Sequence, residues 1–116
     1  MRIWIDGAGA PLKGQKAAAC VVFEGGEPEI WHYGSATNNE MEYQALLNAL
    51  KDARSEGAAI LTDSQLLVGQ LAEGWRVKAP NLRKLHQECS ALLKKRNARI
   101  AWIPREENRA GKVLEK

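Results

Sequence analysis

Extended segments dominate the first third of the chain, and helical periodicity begins only after them. Residues 1–5, 17–23 and 29–33 are rich in β-branched and aromatic side chains, and residues 24–28 form a turn between the last two. This order predicts three strands in an antiparallel meander. The rest of the chain alternates between helical patterns and short apolar runs, which predicts an α/β fold whose sheet is of mixed strand direction.

A capping box marks the beginning of the first helix. Thr37 is followed three residues later by Glu40, and apolar side chains recur at helical spacing until Gly57 ends the pattern. Further helices are expected at 64–74, at 80–96 and from Asn108 onward, a buried strand at 58–62 and a last strand at 98–103. A chain of 116 residues has the size of one domain, which we place at residues 1–116.

Acidic and basic residues are divided unevenly along the chain. Residues 1–73 carry five Lys or Arg and ten Asp or Glu, whereas residues 74–116 carry twelve and four. This division suits a protein that binds divalent cations with one part and a polyanion with the other, because Lys and Arg neutralise phosphates. Charge alone does not identify the polyanion.

The composition also bears on the cellular compartment. No stretch approaches the ~20 consecutive apolar residues that span a bilayer, and the first residues lack the organisation of a signal peptide. Cys20 and Cys89 have neither a CxxC spacing nor a nearby cluster of His ligands. We therefore expect a cytoplasmic protein without a membrane partner, with two buried thiols instead of a disulfide or a zinc site.

Three carboxylates stand at the ends of predicted strands or on a helix face. Asp6 closes the first strand and Asp63 the fourth, and the alternatives are an Asp-Gly turn and a helix N-cap. Glu42 lies on the apolar stripe of its helix, where an uncompensated carboxylate is costly. If the first and fourth strands are neighbours, the three converge into an all-oxygen site suited to Mg²⁺ or Mn²⁺.

Four motifs resemble type 1 ribonuclease H along nearly the whole chain. They are Ile5-Asp6-Gly7, Thr37-Asn38-Asn39-Glu40-Met41-Glu42, Thr62-Asp63-Ser64-Gln65 and Ile103-Pro104-Arg105-Glu106-Glu107-Asn108. The resemblance implies the ribonuclease H-like fold, a mixed five-stranded sheet in which two parallel strands join the antiparallel meander, flanked by helices. It also implies an endoribonuclease that hydrolyses the RNA strand of RNA·DNA hybrids with Mg²⁺ or Mn²⁺.

The resemblance further implies roles for single residues. Asp6, Glu42 and Asp63 would hold the metal ions, and Arg105 stands near a position that assists product release or proton traffic. The expected substrate contacts are Thr37, Asn38, Asn39, Gln65, Trp75, Lys78 and Asn108. Amide side chains both donate and accept hydrogen bonds, as 2′-hydroxyls and base edges require. Helix capping and surface polarity remain the alternative for the polar residues, and core packing for Trp75.

One position departs from the family's pattern. Lys112 stands where the family usually has an Asp that helps to hold a metal ion, and an ammonium group cannot bind a cation. Three accounts are open: slow cleavage with three carboxylates, partial replacement of a metal's charge by Lys112, or an inactive domain in which Lys112 pairs with Asp6 or Asp63. Compensation by Glu115 or by Glu107 is a further alternative.

Two other classes of function stand beside the enzyme. Lys112 and the basic second part of the chain suit a catalytically weak or inactive module that binds hybrid or double-stranded RNA. A structural or protein-interaction domain is the third class, since a fold does not fix a function. For each of them a monomer is expected.

Overall fold

The computed structural model describes residues 1–10, 12 and 14–115. Its strands are β1 (Arg2–Ala8), β2 (Ala17–Phe23), β3 (Glu29–Tyr33), β4 (Ala59–Thr62) and β5 (Arg99–Trp102), and its α-helices are α1 (Asn38–Lys51), α2 (Gln65–Ala72), α3 (Pro80–Arg96) and α4 (Arg109–Leu114). None of the described helices is long and apolar enough to cross a bilayer.

The five strands form one mixed sheet in the order β3-β2-β1-β4-β5. β2 pairs antiparallel with both β1 and β3, whereas β4 pairs parallel with both β1 and β5. This arrangement confirms the predicted meander joined by two parallel strands. The central strand is β1, so its carboxyl end lies in the middle of one edge of the sheet.

The main hydrophobic core lies on one face of this sheet. β1 contributes Ile3 and Ile5 to this face, because side chains alternate along a strand, and α1 covers them with a stripe that includes Leu46 and Leu50. α3 packs on the outer side of α1 and buries Leu82 in the same core. Both cysteines are buried and free, as predicted.

A smaller cluster lies on the opposite face, under α4. Trp4 of β1 and Cys20 of β2 pack there against Ala110 and Leu114 of the short helix. The guanidinium of Arg109 lies 4.2 Å from the centre of the Trp4 ring, so the helix also contacts the strand through a cation–π interaction. α4 is therefore packed against β1, the strand that carries Asp6.

The first strand is longer than the sequence indicates. β1 continues through Asp6 to Ala8, and Asp6 pairs with Cys20 of β2. The predicted end of the strand at Asp6, and the Asp-Gly turn offered as its alternative, are therefore wrong. The strand continues because its ladder with β2 extends through Gly7 and Ala8, which pair with Ala19 and Ala18. A Cβ atom at Gly7 would collide with the backbone of Met41 and Glu42, so the glycine lets α1 cross directly over the strand.

The first helix begins as predicted but ends earlier. Thr37 Oγ1 accepts a hydrogen bond from the backbone N–H of Glu40, whose carboxylate accepts one from the N–H of Thr37, and this confirms the capping box. α1 ends at Lys51, before Gly57, because the Asp52 carboxylate accepts a hydrogen bond from the N–H of Arg54 and begins a separate 3-10 turn.

Candidate metal centre and nucleic-acid interface

Three carboxylates from three elements meet at the carboxyl edge of the sheet. The parallel register pairs Trp4 of β1 with Leu61 of β4, so Asp6 and Asp63, each two residues further along, lie side by side. α1 crosses above them and adds Glu42. Carboxylate oxygens of the three residues all lie within 4.8 Å of one another. The structure thus brings together the three carboxylates that the sequence singled out.

Glu42 is held in the cluster without full compensation. Its Oε1 atom is buried and has no hydrogen-bond partner among the described residues. Burial, reinforced by the charges of Asp6 and Asp63, raises the pKa of Glu42 to about 9, although a hydrogen bond from the Gly7 backbone opposes the rise. A bound divalent cation would supply both the missing partner and the missing charge.

The pKa of Asp6 is raised by the same two causes, but less than that of Glu42. Its side chain is almost fully buried, and burial raises its pKa to about 6 with a further contribution from the charge of Asp63. The Arg105 guanidinium and the Gly7 backbone N–H oppose this rise. Two neighbouring carboxyl groups with raised pKa values indicate a site that lacks positive charge.

Asp63 is available to this cluster because it does not cap α2. Ser64 is the N-cap, and its hydroxyl accepts a hydrogen bond from the N–H of Leu67, so the alternative role predicted for Asp63 is wrong. Instead, Asp63 Oδ2 lies 3.2 Å from Arg105 Nη1, and the backbone carbonyl of Asp63 accepts a hydrogen bond from the Trp102 indole. The Arg105 side chain is 64% exposed, so it can also reach a ligand.

A cavity of about 440 Å³ opens in front of the carboxylates. Its lining consists of Asp6, Gly7, Ala8, Asn38, Glu42, Arg105, Leu114 and Glu115. Lys112 does not line it. That residue faces an adjoining cavity of about 310 Å³, which is lined by Arg105, Glu106, Gly111, Lys112 and Glu115. Within the described chain, no ion pair joins Lys112 to Asp6 or Asp63.

The residues at the beginning of α1 lie beside the carboxylate cavity. Thr37, Asn38 and Asn39 are all exposed, and Asn38 lines the cavity itself. Part of their polarity serves the fold, since Asn38 Oδ1 accepts a hydrogen bond of 2.6 Å from the N–H of Gly9 and Thr37 caps the helix. Helix capping therefore accounts for the polarity of Thr37. It does not account for Asn39, which is exposed to solvent.

An aromatic cavity lies on the other side of Asp63. Gln65, Trp75 and Trp102 line it, and its volume is about 260 Å³. The Trp75 ring packs against Gly69 yet stays 48% exposed, so it serves the fold and also presents an aromatic surface. Trp102, which was not among the predicted contacts, is 47% exposed. Its position at the carboxyl end of the strand beside Asp63 is the signal that points to it.

Two of the expected substrate contacts lie elsewhere. Asn108 has no exposed surface, and its amide donates to the carbonyl of Ile5 and accepts from the N–H groups of Ala110 and Gly111. It therefore positions α4, and its buried groups are already engaged. Lys78 is exposed in the segment between α2 and α3 and lines neither the carboxylate cavity nor the aromatic one.

Comparisons of the sequence point to one family. The model of the family described as reverse transcriptase-like matches residues 15–116. Bifunctional protein Rv2228c of Mycobacterium tuberculosis is 43% identical over 79 residues, which make up 65% of this chain and 22% of that protein. Ribonuclease HI of Halobacterium salinarum is 38% identical over 76 residues, or 63% of this chain and 36% of that protein. The chain thus spans a minor part of the length of these relatives.

Solved structures extend the likeness to nearly the whole chain. The N-terminal RNase H domain of Rv2228c is 34% identical with a TM-score of 0.76, over 92% of this chain and 84% of that one. RNase H1 of Halobacterium salinarum is 31% identical with a TM-score of 0.80, over 97% and 92%. LC11-RNase H1 in complex with an RNA/DNA hybrid is 27% identical with a TM-score of 0.75, over 98% and 99%. By sequence match, sheet order and structural likeness, the chain belongs to the ribonuclease H-like, reverse transcriptase-like family.

Proposed function

We propose that this chain is a ribonuclease H, an endonuclease that uses Mg²⁺ or Mn²⁺ to hydrolyse the RNA strand of RNA·DNA hybrids. The observation that carries the proposal is the buried, unpartnered Oε1 atom of Glu42 within a cluster of three carboxylates. A buried carboxylate without a partner is costly unless a proton or a cation compensates it, and one shared cation would compensate all three neighbouring carboxylates.

The donor set fits a hard divalent cation. Asp6, Glu42 and Asp63 offer only oxygen atoms, the ligands that Mg²⁺ and Mn²⁺ prefer, and no His or Cys takes part in the cluster. When bound, such ions would stabilise the negative charge that develops on a phosphodiester and make water a better nucleophile. The carboxylates would hold the cations at the sheet edge, and the raised pKa values of Asp6 and Glu42 would fall once positive charge is present.

Arg105 is the cation that this chain places beside the cluster. It pairs with Asp63 through one nitrogen, while most of its side chain stays exposed at the mouth of the cavity. A guanidinium in this position can bind a non-bridging phosphate oxygen of the substrate and hold it near the carboxylates. After cleavage, the same group can hold the terminal phosphate of the product until it leaves.

The surface around the carboxylates suits a hybrid duplex. Asn38, Asn39 and Gln65 present amides that can bond 2′-hydroxyls and base edges in a shallow minor groove. Trp75 offers an aromatic face for a sugar or a base, and the basic second part of the chain supplies phosphate contacts that are independent of sequence. The complex of LC11-RNase H1 with an RNA/DNA hybrid supports this choice of substrate.

A substrate and metal panel tests the proposal. Labelled RNA·DNA hybrid, double-stranded RNA, double-stranded DNA and single-stranded RNA are incubated with the protein in Mg²⁺, in Mn²⁺ or in EDTA. We expect internal cuts in the RNA strand of the hybrid alone, in either metal and not in EDTA. A folded protein that leaves the hybrid intact at high concentration in Mn²⁺ contradicts the nuclease.

A second candidate is a binding module without catalysis, favoured by Lys112 at the position where an Asp is usual. In that case the protein binds the hybrid, with an affinity that falls as salt rises, and cuts it in neither metal. A filter-binding titration at several salt concentrations, run beside the cleavage panel, separates the two functions.

A further inference from the structure

The cavity in front of the carboxylates has a fourth acidic residue in its wall. Glu115 lines it from the side opposite α1, directly after the last residue of α4. Apart from Asp6 and Glu42, it is the one acidic group among the described lining residues. Its side chain is exposed, and the described residues form no ion pair with it.

α4 holds Glu115 in a fixed relation to Asp6. At its beginning, Asn108 Nδ2 donates a hydrogen bond of 2.9 Å to the carbonyl of Ile5, the residue directly before Asp6. At its end, Leu114 packs against the cluster around Trp4 on the same strand. Although the helix has only six residues, it is therefore fastened to β1 at both ends. These contacts also support Glu115, which directly follows the helix.

Lys112 differs from Glu115 in the cavities that it lines. It lines the adjoining cavity and not the carboxylate cavity, whereas Glu115, three residues later, lines both. An ammonium group at this place does not project among the carboxylates. At this end of α4, the charged side chain that lines the cavity of Asp6 and Glu42 is thus that of Glu115 and not that of Lys112.

The charge balance of the site favours a fourth carboxylate. When all three are ionised, Asp6, Glu42 and Asp63 supply three negative charges, and Arg105 offsets part of this charge by pairing with Asp63. Two divalent ions, the arrangement common in phosphodiester hydrolysis, carry four positive charges. A further carboxylate at the open side of the cavity favours occupancy of the second ion.

We propose that Glu115 completes the metal site from α4, as a direct ligand or through a water molecule, and that Lys112 stands outside it. The inference rests on the proposed metal-dependent function and names a residue that this chain uses within it. It also accounts for how the chain can keep catalysis with a lysine at the atypical position.

Mn²⁺ binding to the full chain, measured by isothermal titration calorimetry, tests the inference without relying on activity. We expect Glu115→Gln to weaken the lower-affinity Mn²⁺ step about tenfold, a loss of about 1.4 kcal/mol. Glu106→Gln is the matched control, because it removes the same charge from a residue that lines only the adjoining cavity. The Mn²⁺ affinity of Glu106→Gln is expected to stay within about twofold of that of the natural chain. The affinity of Glu115→Asp is expected to lie between those of the natural chain and Glu115→Gln.

Hybrid cleavage is measured in parallel to separate the two proposals. If the natural chain cleaves the hybrid and Glu115→Gln binds Mn²⁺ as tightly as Glu106→Gln does, the inference is wrong and the nuclease stands. If Mn²⁺ binding depends on Glu115 but no variant cleaves, the nuclease is wrong and the inference stands. A natural chain that binds no Mn²⁺ overturns both.

Discussion

Glu42 shows how one residue reveals the purpose of a site. It lies on the face of α1 whose neighbours Ala45, Leu46 and Ala49 are completely buried, so its charge is placed where the fold gains nothing from it. Its Oε1 atom has no partner in the described chain, and its pKa is raised to about 9 by burial and by Asp6 and Asp63. Such an arrangement destabilises the metal-free protein at neutral pH and favours a cation.

Substitution of Glu42 makes this cost measurable. The pKa of the folded state lies above the ordinary value of 4.5, so the folded protein binds the proton more tightly, and stability is lost as pH rises from about 4.5 towards 9. Glu42→Gln removes the cost of protonating this group on folding, and at pH 8 in EDTA we expect the free energy of unfolding to rise by roughly 1–3 kcal/mol.

The comparison is made by thermal denaturation at pH 5 and pH 8, with and without Mn²⁺. The advantage of Glu42→Gln in EDTA should shrink at pH 5, where the native carboxyl group is protonated. In Mn²⁺ the natural chain should gain stability and the variant much less. A variant that is less stable than the natural chain at pH 8 in EDTA contradicts this account of Glu42.

At the scale of elements, the site depends on how closely α1 and α4 approach β1. Gly7 lets α1 pass over the strand, and the buried amide of Asn108 fastens α4 to the carbonyl of Ile5. α1 carries Glu42 and Glu115 directly follows α4, so these two contacts help to position two walls of the cavity. Substitutions at either contact should therefore affect metal binding as well as stability.

Gly7→Ala tests the contact between β1 and α1. A methyl group would collide with the backbone of Met41 and Glu42, which cannot move without shifting the helix. We expect a loss of about 1–3 kcal/mol in the free energy of unfolding by urea, together with weaker Mn²⁺ binding. Gly34→Ala is the control, because the added methyl would meet no atom within 4 Å. Equal stability of the two variants would show that the helix does not need this close approach.

Asn108→Ala tests the contact between β1 and α4. The change leaves the Ile5 carbonyl and two helix N–H groups without their partner, so we expect a loss of about 2–3 kcal/mol in urea denaturation. Asn81→Ala, at an exposed position in the first turn of α3, should change the free energy of unfolding by less than about 0.5 kcal/mol. If Asn108→Ala is as stable as this control, α4 is not fastened as described.

At the scale of the whole molecule, local signals predicted the elements and long-range contacts escaped prediction. The capping box at Thr37 and the bounds of α3 depend on residues close together in the sequence, and both predictions are confirmed. The continuation of β1 past Asp6 depends on its pairing with β2, and the buried Asn108 forms a hydrogen bond with Ile5, which lies 103 residues away. No periodicity within one segment reports such contacts.

The convergence of the carboxylates was predictable because it follows from strand order. Once β1 and β4 are parallel neighbours, Asp6 and Asp63 must share an edge, and the helical stripe adds Glu42. The side of α4 on which Lys112 lies was not predictable, since it depends on how the helix packs on Trp4.

The central claim, that these carboxylates serve a nuclease, is tested most directly by one comparison. Initial rates of RNA-strand cleavage in a labelled hybrid are measured in saturating Mn²⁺ for the natural chain and for Asp63→Asn, which keeps the shape of the side chain and removes its charge. We predict cleavage by the natural chain and a rate at least about 100-fold lower for the variant. Equal rates, or no cleavage by either folded protein, would contradict the account.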